Sequence, residues 1–209
     1  MSIKAMDLAG FRVIASLATA MVSSAVYGQS ETDFESEFEQ SRLIHTADAG
    51  DILVVPFAQG LANPFDLAFR DNGDILVTER YTGQLRVIRE GALLPNIVSG
   101  VPDVYSEVFR AGLMSIALHP DNDALVFLSY TKPIEVKGEP EQTVPLARGT
   151  LDGDQLGNGE EICVAEGLDR GIAAAKLLFA PDGHLLMSIG GAYMYMGLGD
   201  YAQDPSVHY

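Results

Sequence analysis

The 209-residue chain has little of three things: cysteine, basic side chains and long apolar runs. A single cysteine, Cys163, allows no internal disulfide. Lys and Arg number 13 against 29 Asp and Glu, and the formal net charge of −16 repels nucleic acid and anionic membrane surfaces. We therefore expect neither as a partner. Beyond the first 28 residues no apolar stretch is long enough to cross a bilayer, so we expect no membrane span after those residues are removed.

Motifs for catalysis or metal binding are also sparse. The four histidines form no zinc cluster in the sequence. His119, which precedes a proline, is interpreted as capping a turn, and His184, beside a turn, as facing solvent. Cys163 lies in an apolar run that predicts a buried strand position, so its thiol is expected to be structural rather than nucleophilic.

One acidic stretch has a faint likeness to a calcium loop. Asp152-Gly153-Asp154 is followed by further polar residues, but Leu156 stands where an EF-hand loop needs Asp or Asn. The stretch therefore predicts a hairpin turn, with calcium binding as the less favoured alternative.

The N-terminal residues have the pattern of an export signal. Lys4 and Arg12 precede a short apolar segment, and the small residue Gly28 precedes Gln29. We predict a signal peptide over residues 1–28 and a periplasmic or secreted protein, with an N-terminal anchor helix as the alternative. Residues 29–49 contain alternating acidic positions and predict a solvated acidic linker rather than a partner-binding segment.

Three later stretches repeat one pattern, in which an apolar strand, a tight turn and a second apolar strand follow each other. The turns use Asp, Asn, Pro or Gly, which suit the backbone angles of short hairpins. Such a unit recurring along a chain indicates an all-β repeat fold, above all a β-propeller. The stretches are residues 65–78, 116–128 and 177–188.

The spacing of the repeats agrees with propeller blades. Anchoring them on Phe69, Leu118 and Phe179 gives intervals of 49 and 61 residues, against roughly 40 to 50 residues for a blade. The longer interval predicts an inserted loop. We assign residues 50–209 to a partial propeller of about three blades and interpret the chain as the N-terminal portion of a longer protein. The rival interpretation is a small four-bladed ring.

The blade motifs resemble those of the glucose/sorbosone dehydrogenase family over about residues 50–209. This resemblance implies a six-bladed, all-β propeller of the soluble quinoprotein sugar dehydrogenase type, present here as an incomplete ring. It also implies pyrroloquinoline quinone (PQQ) and calcium as cofactors, and a sugar or related alcohol as substrate. The motifs that carry it, in family order, are residues 60–69, 76–80, 82–87, 112–120, 146–154, 176–183 and 202–204.

The resemblance also gives the positions of catalytic residues, and this chain departs from them. The family's general base, a His, corresponds to Ile172, four residues before Lys176. An isoleucine cannot take a proton. A shift of register would place Asp169 there as a weak substitute.

The remaining positions depart as well. The acidic neighbour of the base corresponds to Gly171, and a sugar-contacting Gln corresponds to Arg110. The resemblance implies that the residues that bind the quinone and calcium lie in later blades, beyond Tyr209. Two functions therefore stay open: a periplasmic quinoprotein oxidoreductase, and a non-catalytic exported propeller that binds or scaffolds.

We predict that the exported chain begins near Gln29. The basic start, the short apolar segment and the small residue before the cut are typical of signal-peptidase substrates. N-terminal sequencing of protein from a periplasmic fraction measures this directly. Recovery of Met1 on a membrane-bound product would contradict it.

Overall fold

The computed structural model describes residues 7–8, 11–15, 41–48, 50–106, 111–136, 139–165 and 175–190. The predicted all-β character is confirmed, because these residues form strands, bridges and turns and contain no helix. No helix in the described ranges is therefore long and apolar enough to cross a membrane. The chain divides into two compact units, residues 1–61 and residues 62–209.

The first unit contains one mixed sheet of four strands in the order β1-β2-β4-β3. Strands β2 and β4 run parallel, whereas β3 and β4 form an antiparallel pair. Strand β3 falls in the segment predicted as a linker, and β1 and β2 fall in the predicted signal peptide. Both assignments stay predictions. The strands are β1 (Asp7–Leu8), β2 (Phe11–Ala15), β3 (Arg42–Thr46) and β4 (Gly50–Val55).

The second unit contains successive antiparallel sheets that correspond to the predicted blades. Blade 1 has the order β5-β6-β7-β8, blade 2 has the order β9-β10-β13-β14, and blade 3 is described as the hairpin β15-β16. The incomplete propeller predicted from the repeats is confirmed. The strands are β5 (Pro64–Phe69), β6 (Ile75–Glu79), β7 (Gln84–Arg89), β8 (Ala92–Leu93), β9 (Leu113–His119), β10 (Asn122–Tyr130), β13 (Pro145–Asp152), β14 (Gln155–Val164), β15 (Ala175–Phe179) and β16 (Leu185–Ile189).

The predicted insertion is a hairpin of its own. Strands β11 (Lys132–Val136) and β12 (Glu139–Thr143) pair with each other between β10 and β13, outside the sheet of blade 2. The extra length between the second and third repeats therefore includes ordered antiparallel structure.

Turn chemistry fixes the hairpin of blade 1. Gly73 has a φ of +91°, a left-handed conformation that glycine adopts at little cost.

Beside this turn, Arg89 donates two parallel hydrogen bonds to the buried Asp74 carboxylate, at 2.8 and 2.7 Å. These bonds hold the pKa of Asp74 below its ordinary value. Because the folded-state pKa is lowered, the pair stabilises the fold at neutral pH, and that contribution is lost as pH falls through the folded pKa.

Each blade has a forward face, turned toward the next blade in the chain, and an opposite backward face. On blade 1, the opposed residues Ala68 and Leu76 face forward and pack in a core with Ile116 and Leu128 on the backward face of blade 2. This apolar contact joins blades 1 and 2.

The next interface repeats this arrangement. The opposed residues Ala117 and Phe127 face forward on blade 2 and pack with Leu177 on the backward face of blade 3. The rings of Phe127 and Phe179 meet edge to face, with centroids 5.3 Å apart. The two interfaces therefore bury equivalent positions of the repeat.

A buried hydroxyl crosses each interface. In blade 1, Thr78 accepts a hydrogen bond from the backbone N–H of Asp66 at 3.0 Å and donates to the backbone oxygen of Met114 in blade 2 at 2.7 Å. In blade 2, Ser129 accepts from the N–H of Ser115 at 3.0 Å and donates to the oxygen of Ala175 in blade 3 at 3.0 Å. We call these contacts the hydroxyl bridges.

The polar and turn predictions outside the site have mixed outcomes. His119 caps its turn, since its Nδ1 accepts from the N–H of Asp121 at 3.2 Å, and the His184 side chain is exposed. The hairpin predicted at Asp152 is confirmed by the pairing of β13 with β14. The predicted burial of Cys163 is wrong: its residue is exposed. Residues 160–164 of β14 are exposed in succession, so neither face of this stretch is covered.

We predict that Thr78→Val lowers the free energy of unfolding by about 1 to 3 kcal/mol, because valine leaves two buried backbone groups without their partner. Urea unfolding measures the change. Thr150→Val, at an exposed position of β13, is the matched control and is expected to shift stability by less than about 0.5 kcal/mol. Equal effects of the two substitutions would show that the hydroxyl bridge does not stabilise the interface.

Candidate functional site

The candidate site lies where the first strands of the three blades begin. Strands β5, β9 and β15 are neighbours, since β9 contacts both of the others. Near their N-terminal ends they carry Asp66, Ser115 and Lys176, which occupy equivalent places in the repeated hairpins. The fold thus brings together three polar side chains that are far apart in the sequence.

The Asp66 carboxylate is the centre of this cluster. It accepts two hydrogen bonds from Lys176 Nζ, at 2.6 and 2.7 Å, and one from the Ser115 hydroxyl. The backbone N–H groups of Ile116 and Leu67 donate to it at 3.1 and 3.0 Å. Its side chain is 12% exposed, whereas that of Lys176 is 58% exposed. The carboxylate is therefore inside the cluster and the ammonium group is at the solvent.

Further hydroxyl groups connect the backbone around the cluster. Ser115 Oγ donates to Asp66 in blade 1 and accepts from the N–H of Leu177 in blade 3 at 2.9 Å, so this one serine connects blade 1 to blade 3. Thr78 and Ser129 bind the N–H groups of Asp66 and Ser115 from behind. Side chains from all three blades thus meet in one continuous hydrogen-bonded network.

The arrangement determines what Asp66 can do chemically. Five hydrogen bonds from four donor groups already surround its two oxygens. A general base needs a free lone pair directed at the proton it removes. Asp66 is therefore built as an anchor between blades, and the half-exposed Lys176 is the group of this cluster that can meet a molecule from solvent.

A second group of contacts fixes the segment before β9. A Cβ added to Gly112 would lie 2.1 Å from the backbone oxygen of Arg80, and its φ is +135°. That same oxygen accepts from the N–H of Leu113 at 2.9 Å. The Arg80 guanidinium lies 4.6 Å from the centroid of the Phe65 ring and donates to the Ala111 oxygen at 3.3 Å. Only glycine lets the two blades approach this closely.

A buried carboxylate fixes the segment before β5. Glu79 is 1% exposed and accepts from the N–H of Ala62 at 2.7 Å and from the Thr82 hydroxyl at 3.0 Å. Arg86 contacts the same carboxylate at 3.5 Å. The beginnings of β5 and β9 are therefore each fixed by hydrogen bonds and close contacts.

The site residues predicted from the sequence lie outside the described residues. Arg110 falls in the range 107–110, and Asp169, Gly171 and Ile172 fall in the range 166–174. Both ranges lead directly into first strands, β9 and β15. In the sequence the predicted positions thus come shortly before the strands that carry Ser115 and Lys176, and their roles stay predictions.

The sequence-based prediction missed the Asp66 cluster, although a signal for it exists. Aligning the three hairpins places Asp66, Ser115 and Lys176 at one position of the repeat, two of them with opposite charge. Within the described ranges, no group of three or more His, Cys, Asp or Glu residues could hold a metal ion.

We predict that Asp66→Ala lowers the free energy of unfolding by about 2 kcal/mol, because it leaves the Ile116 N–H and the Ser115 hydroxyl without an acceptor. Lys176→Met is expected to cost less than about 1 kcal/mol, since the ammonium group is half exposed. Arg148→Met, in the exposed pair with Glu160, is the matched control for Lys176→Met. If Lys176→Met costs as much as Asp66→Ala, the ion pair itself joins the blades.

Comparison with known proteins gives relatives that are much longer than this chain. An uncharacterized protein of Synechocystis, slr1608, is 33% identical over 166 residues, which are 74% of this chain and 39% of that protein. The soluble aldose sugar dehydrogenase of Escherichia coli, solved in its apo form, is 27% identical, with a TM-score of 0.57 over 67% of this chain and 41% of that one. The chain thus spans about two fifths of the length of these relatives.

A third comparison adds support for the fold. The PQQ-bound aldose sugar dehydrogenase of Streptomyces coelicolor is 22% identical, with a TM-score of 0.50 over 73% of this chain and 42% of that one. Residues 61–209 match the family described as Glucose / Sorbosone dehydrogenase. The match covers more than half of the sequence and both complete blades, and the chain therefore belongs to the glucose/sorbosone dehydrogenase family.

Proposed function

We propose that this chain is the N-terminal part of a periplasmic quinoprotein oxidoreductase that oxidises sugars or related alcohols. The observation that carries the proposal is the family match over residues 61–209, which coincides with the blades. The E. coli relative is named as a soluble aldose sugar dehydrogenase, which supports an aldose as the substrate class. The signal-peptide pattern of residues 1–28 supports export.

The residues of this chain have a supporting role in such a protein. The Asp66 network and the close contact at Gly112 fix the strand ends that the segments 107–110 and 166–174 precede. Those segments hold the positions that face substrate by resemblance. Positioning by a rigid frame contributes to catalysis because a small misplacement of reacting groups slows the reaction strongly.

The described residues do not by themselves fit a PQQ site. The quinone carries carboxylates and needs several cations, whereas the one half-exposed cation of the Asp66 cluster, Lys176, is already paired. We propose that the quinone and calcium sites lie in later blades of the family's ring, beyond Tyr209. The PQQ-bound relative from Streptomyces supports PQQ as the cofactor of this type of protein.

A second function is favoured by one residue. Ile172 occupies the position of the family's general base, and an isoleucine cannot accept a proton. Asp169 stands nearby as a weak substitute. A propeller that has kept its blades and lost its base would serve as an exported binding or scaffold module.

We predict that the 209-residue chain has negligible sugar dehydrogenase activity with PQQ and calcium added. General bases contribute roughly 10²- to 10⁴-fold to rate, and Ile172 supplies none. Dye reduction with several aldoses measures turnover, and the aldose sugar dehydrogenase of E. coli serves as the positive control. Robust PQQ-dependent turnover by this chain would refute the prediction, and loss of that turnover in Asp169→Asn would then identify Asp169 as the base.

The coding sequence after residue 209 separates the two functions. Further blades with clustered Lys and Arg residues facing the propeller axis support the oxidoreductase, because they provide the charges that a carboxylated quinone needs. Further blades without such residues support the binding module.

A further inference from the structure

The inserted hairpin of β11 and β12 is attached to the end of blade 2 at which the first strand begins. The N–H of Thr131, directly after β10, donates to the oxygen of Gly112, directly before β9, at 3.1 Å. The hairpin leaves the blade after Thr131 and returns to it at Val144. It therefore belongs to the end of blade 2 that carries Ser115 of the Asp66 cluster.

Two buried threonines fasten the foot of this hairpin. Thr131 accepts a hydrogen bond from the N–H of Gly112 at 2.7 Å and donates to the backbone oxygen of Tyr105. Thr143, the last residue of β12, donates to the backbone oxygen of Ala165. The two threonines are 0% and 1% exposed. The points at which the hairpin joins blade 2 are therefore fixed by the fold.

The core between blades 2 and 3 continues from this foot. Val144 follows Thr143 directly, is 0% exposed and packs with Met114 and Ala175. These two residues immediately precede Ser115 and Lys176 of the Asp66 cluster. The fixed side of the hairpin's attachment is thus part of the same packing that positions the cluster.

Beyond its foot the hairpin is a ribbon of two strands, which consists of β11 and residues 139–142 of β12. Among the described strands, β11 and β12 pair only with each other. Hydrogen-bonded and non-hydrogen-bonded pairs alternate along an antiparallel ladder. Pro133 lies opposite Gln142 and Pro140 lies opposite Glu135, so both prolines occupy pairs of the same kind.

These prolines keep the ribbon separate from other strands. Proline has no N–H, so its place is in the pairs whose backbone groups point away from the partner strand. Pro133 and Pro140 therefore remove one donor from each outer edge of the ribbon, which opposes pairing with a further strand. An isolated two-stranded ribbon is only marginally stable in water, so this one depends on its contact with blade 2.

One buried side chain weakens that contact. Gln142 is 3% exposed, and neither its amide nitrogen nor its amide oxygen has a hydrogen-bond partner within the ranges that the structure describes. A carboxamide has two donors and one acceptor, all of which water satisfies when the group is exposed. Burial without partners is therefore unfavourable, and lifting the ribbon from blade 2 removes this cost.

We propose that the ribbon is a hinged flap beside the Asp66 cluster, which docks on blade 2 and lifts from it while Thr131 and Thr143 stay in place. The unpaired carboxamide of Gln142 sets the balance between the two positions. A flap at the strand ends admits a molecule when it lifts and shields that molecule from water when it docks. Its use on a sugar rests on the proposed function, whereas its motion does not.

Hydrogen exchange measured by mass spectrometry on the full chain tests the flap. A lifted ribbon frays, so its amides exchange when the flap is open. In the unmodified chain we expect the ribbon to exchange faster than β10. Gln142→Met keeps the length of the side chain and removes the unpaired amide, and it should slow exchange of the ribbon about 5- to 100-fold while leaving β10 unchanged.

The opposite result would overturn the proposal. Exchange of the ribbon that is unchanged or faster in Gln142→Met would show that the carboxamide is hydrogen-bonded in the docked position, as it would be to an ordered water. Gln155→Met, at an exposed position of β14, is the matched control and should leave the ribbon unchanged. Equal slowing in both variants would show that the effect does not come from the flap, and would also overturn the proposal.

Gln142→Glu tests whether the hinge lies where the threonines place it. A carboxylate at this buried position disfavours docking strongly. We expect the ribbon to exchange at nearly the unprotected rate while β9 and β10 stay protected. Faster exchange of the ribbon together with β9 and β10 would show that they open as one unit and would exclude a flap. Because exchange needs neither PQQ nor turnover, failure of the flap is distinguishable from failure of the proposed function.

Discussion

The contact between successive blades is the constraint on which the rest of this molecule depends. The first strand of a blade has a strand partner on one side only, and its ladder shifts register near Asp66 in blade 1 and near Ser115 in blade 2. A shift of this kind leaves backbone groups without their regular partners. The hydroxyls of Thr78 and Ser129 satisfy these groups and reach the next blade at the same time. The same two hydroxyl groups thus both complete the hydrogen bonding of the irregular first strand and bind the next blade.

The packing of the blades also brings charged side chains together where the first strands begin. The Asp66 carboxylate receives donors from its own blade, from blade 2 and from Lys176 of blade 3. An acidic residue buried in this way is stable because every oxygen is hydrogen-bonded and one partner is a cation. The hydrogen bonds of the Asp66 carboxylate therefore depend on how the three blades pack, and a shift of any one blade would alter them.

The sequence predicted the hairpins well because their determinants are local. The turn at Gly73 and the apolar residues on either side lie within a few positions of each other. The Asp66 cluster could not be read so directly, since its members are brought together only when three blades are packed. The burial of Cys163 was mispredicted for a related reason. An apolar run shows that a strand is present, but it does not show whether another part of the fold covers that strand, and residues 160–164 of β14 are uncovered.

The hydroxyl bridges have a consequence for how such a chain can change over evolutionary time. A bridge requires one Ser or Thr on its own blade and a main-chain oxygen on the neighbour, and every residue type supplies that oxygen. The joint therefore places no demand on the identity of the neighbour's side chain at that point. Duplication, loss or exchange of a whole blade leaves the joint intact, whereas residues on the loops are free to diverge. A repeat joined in this way can keep its architecture long after the chemistry at its strand ends has been replaced.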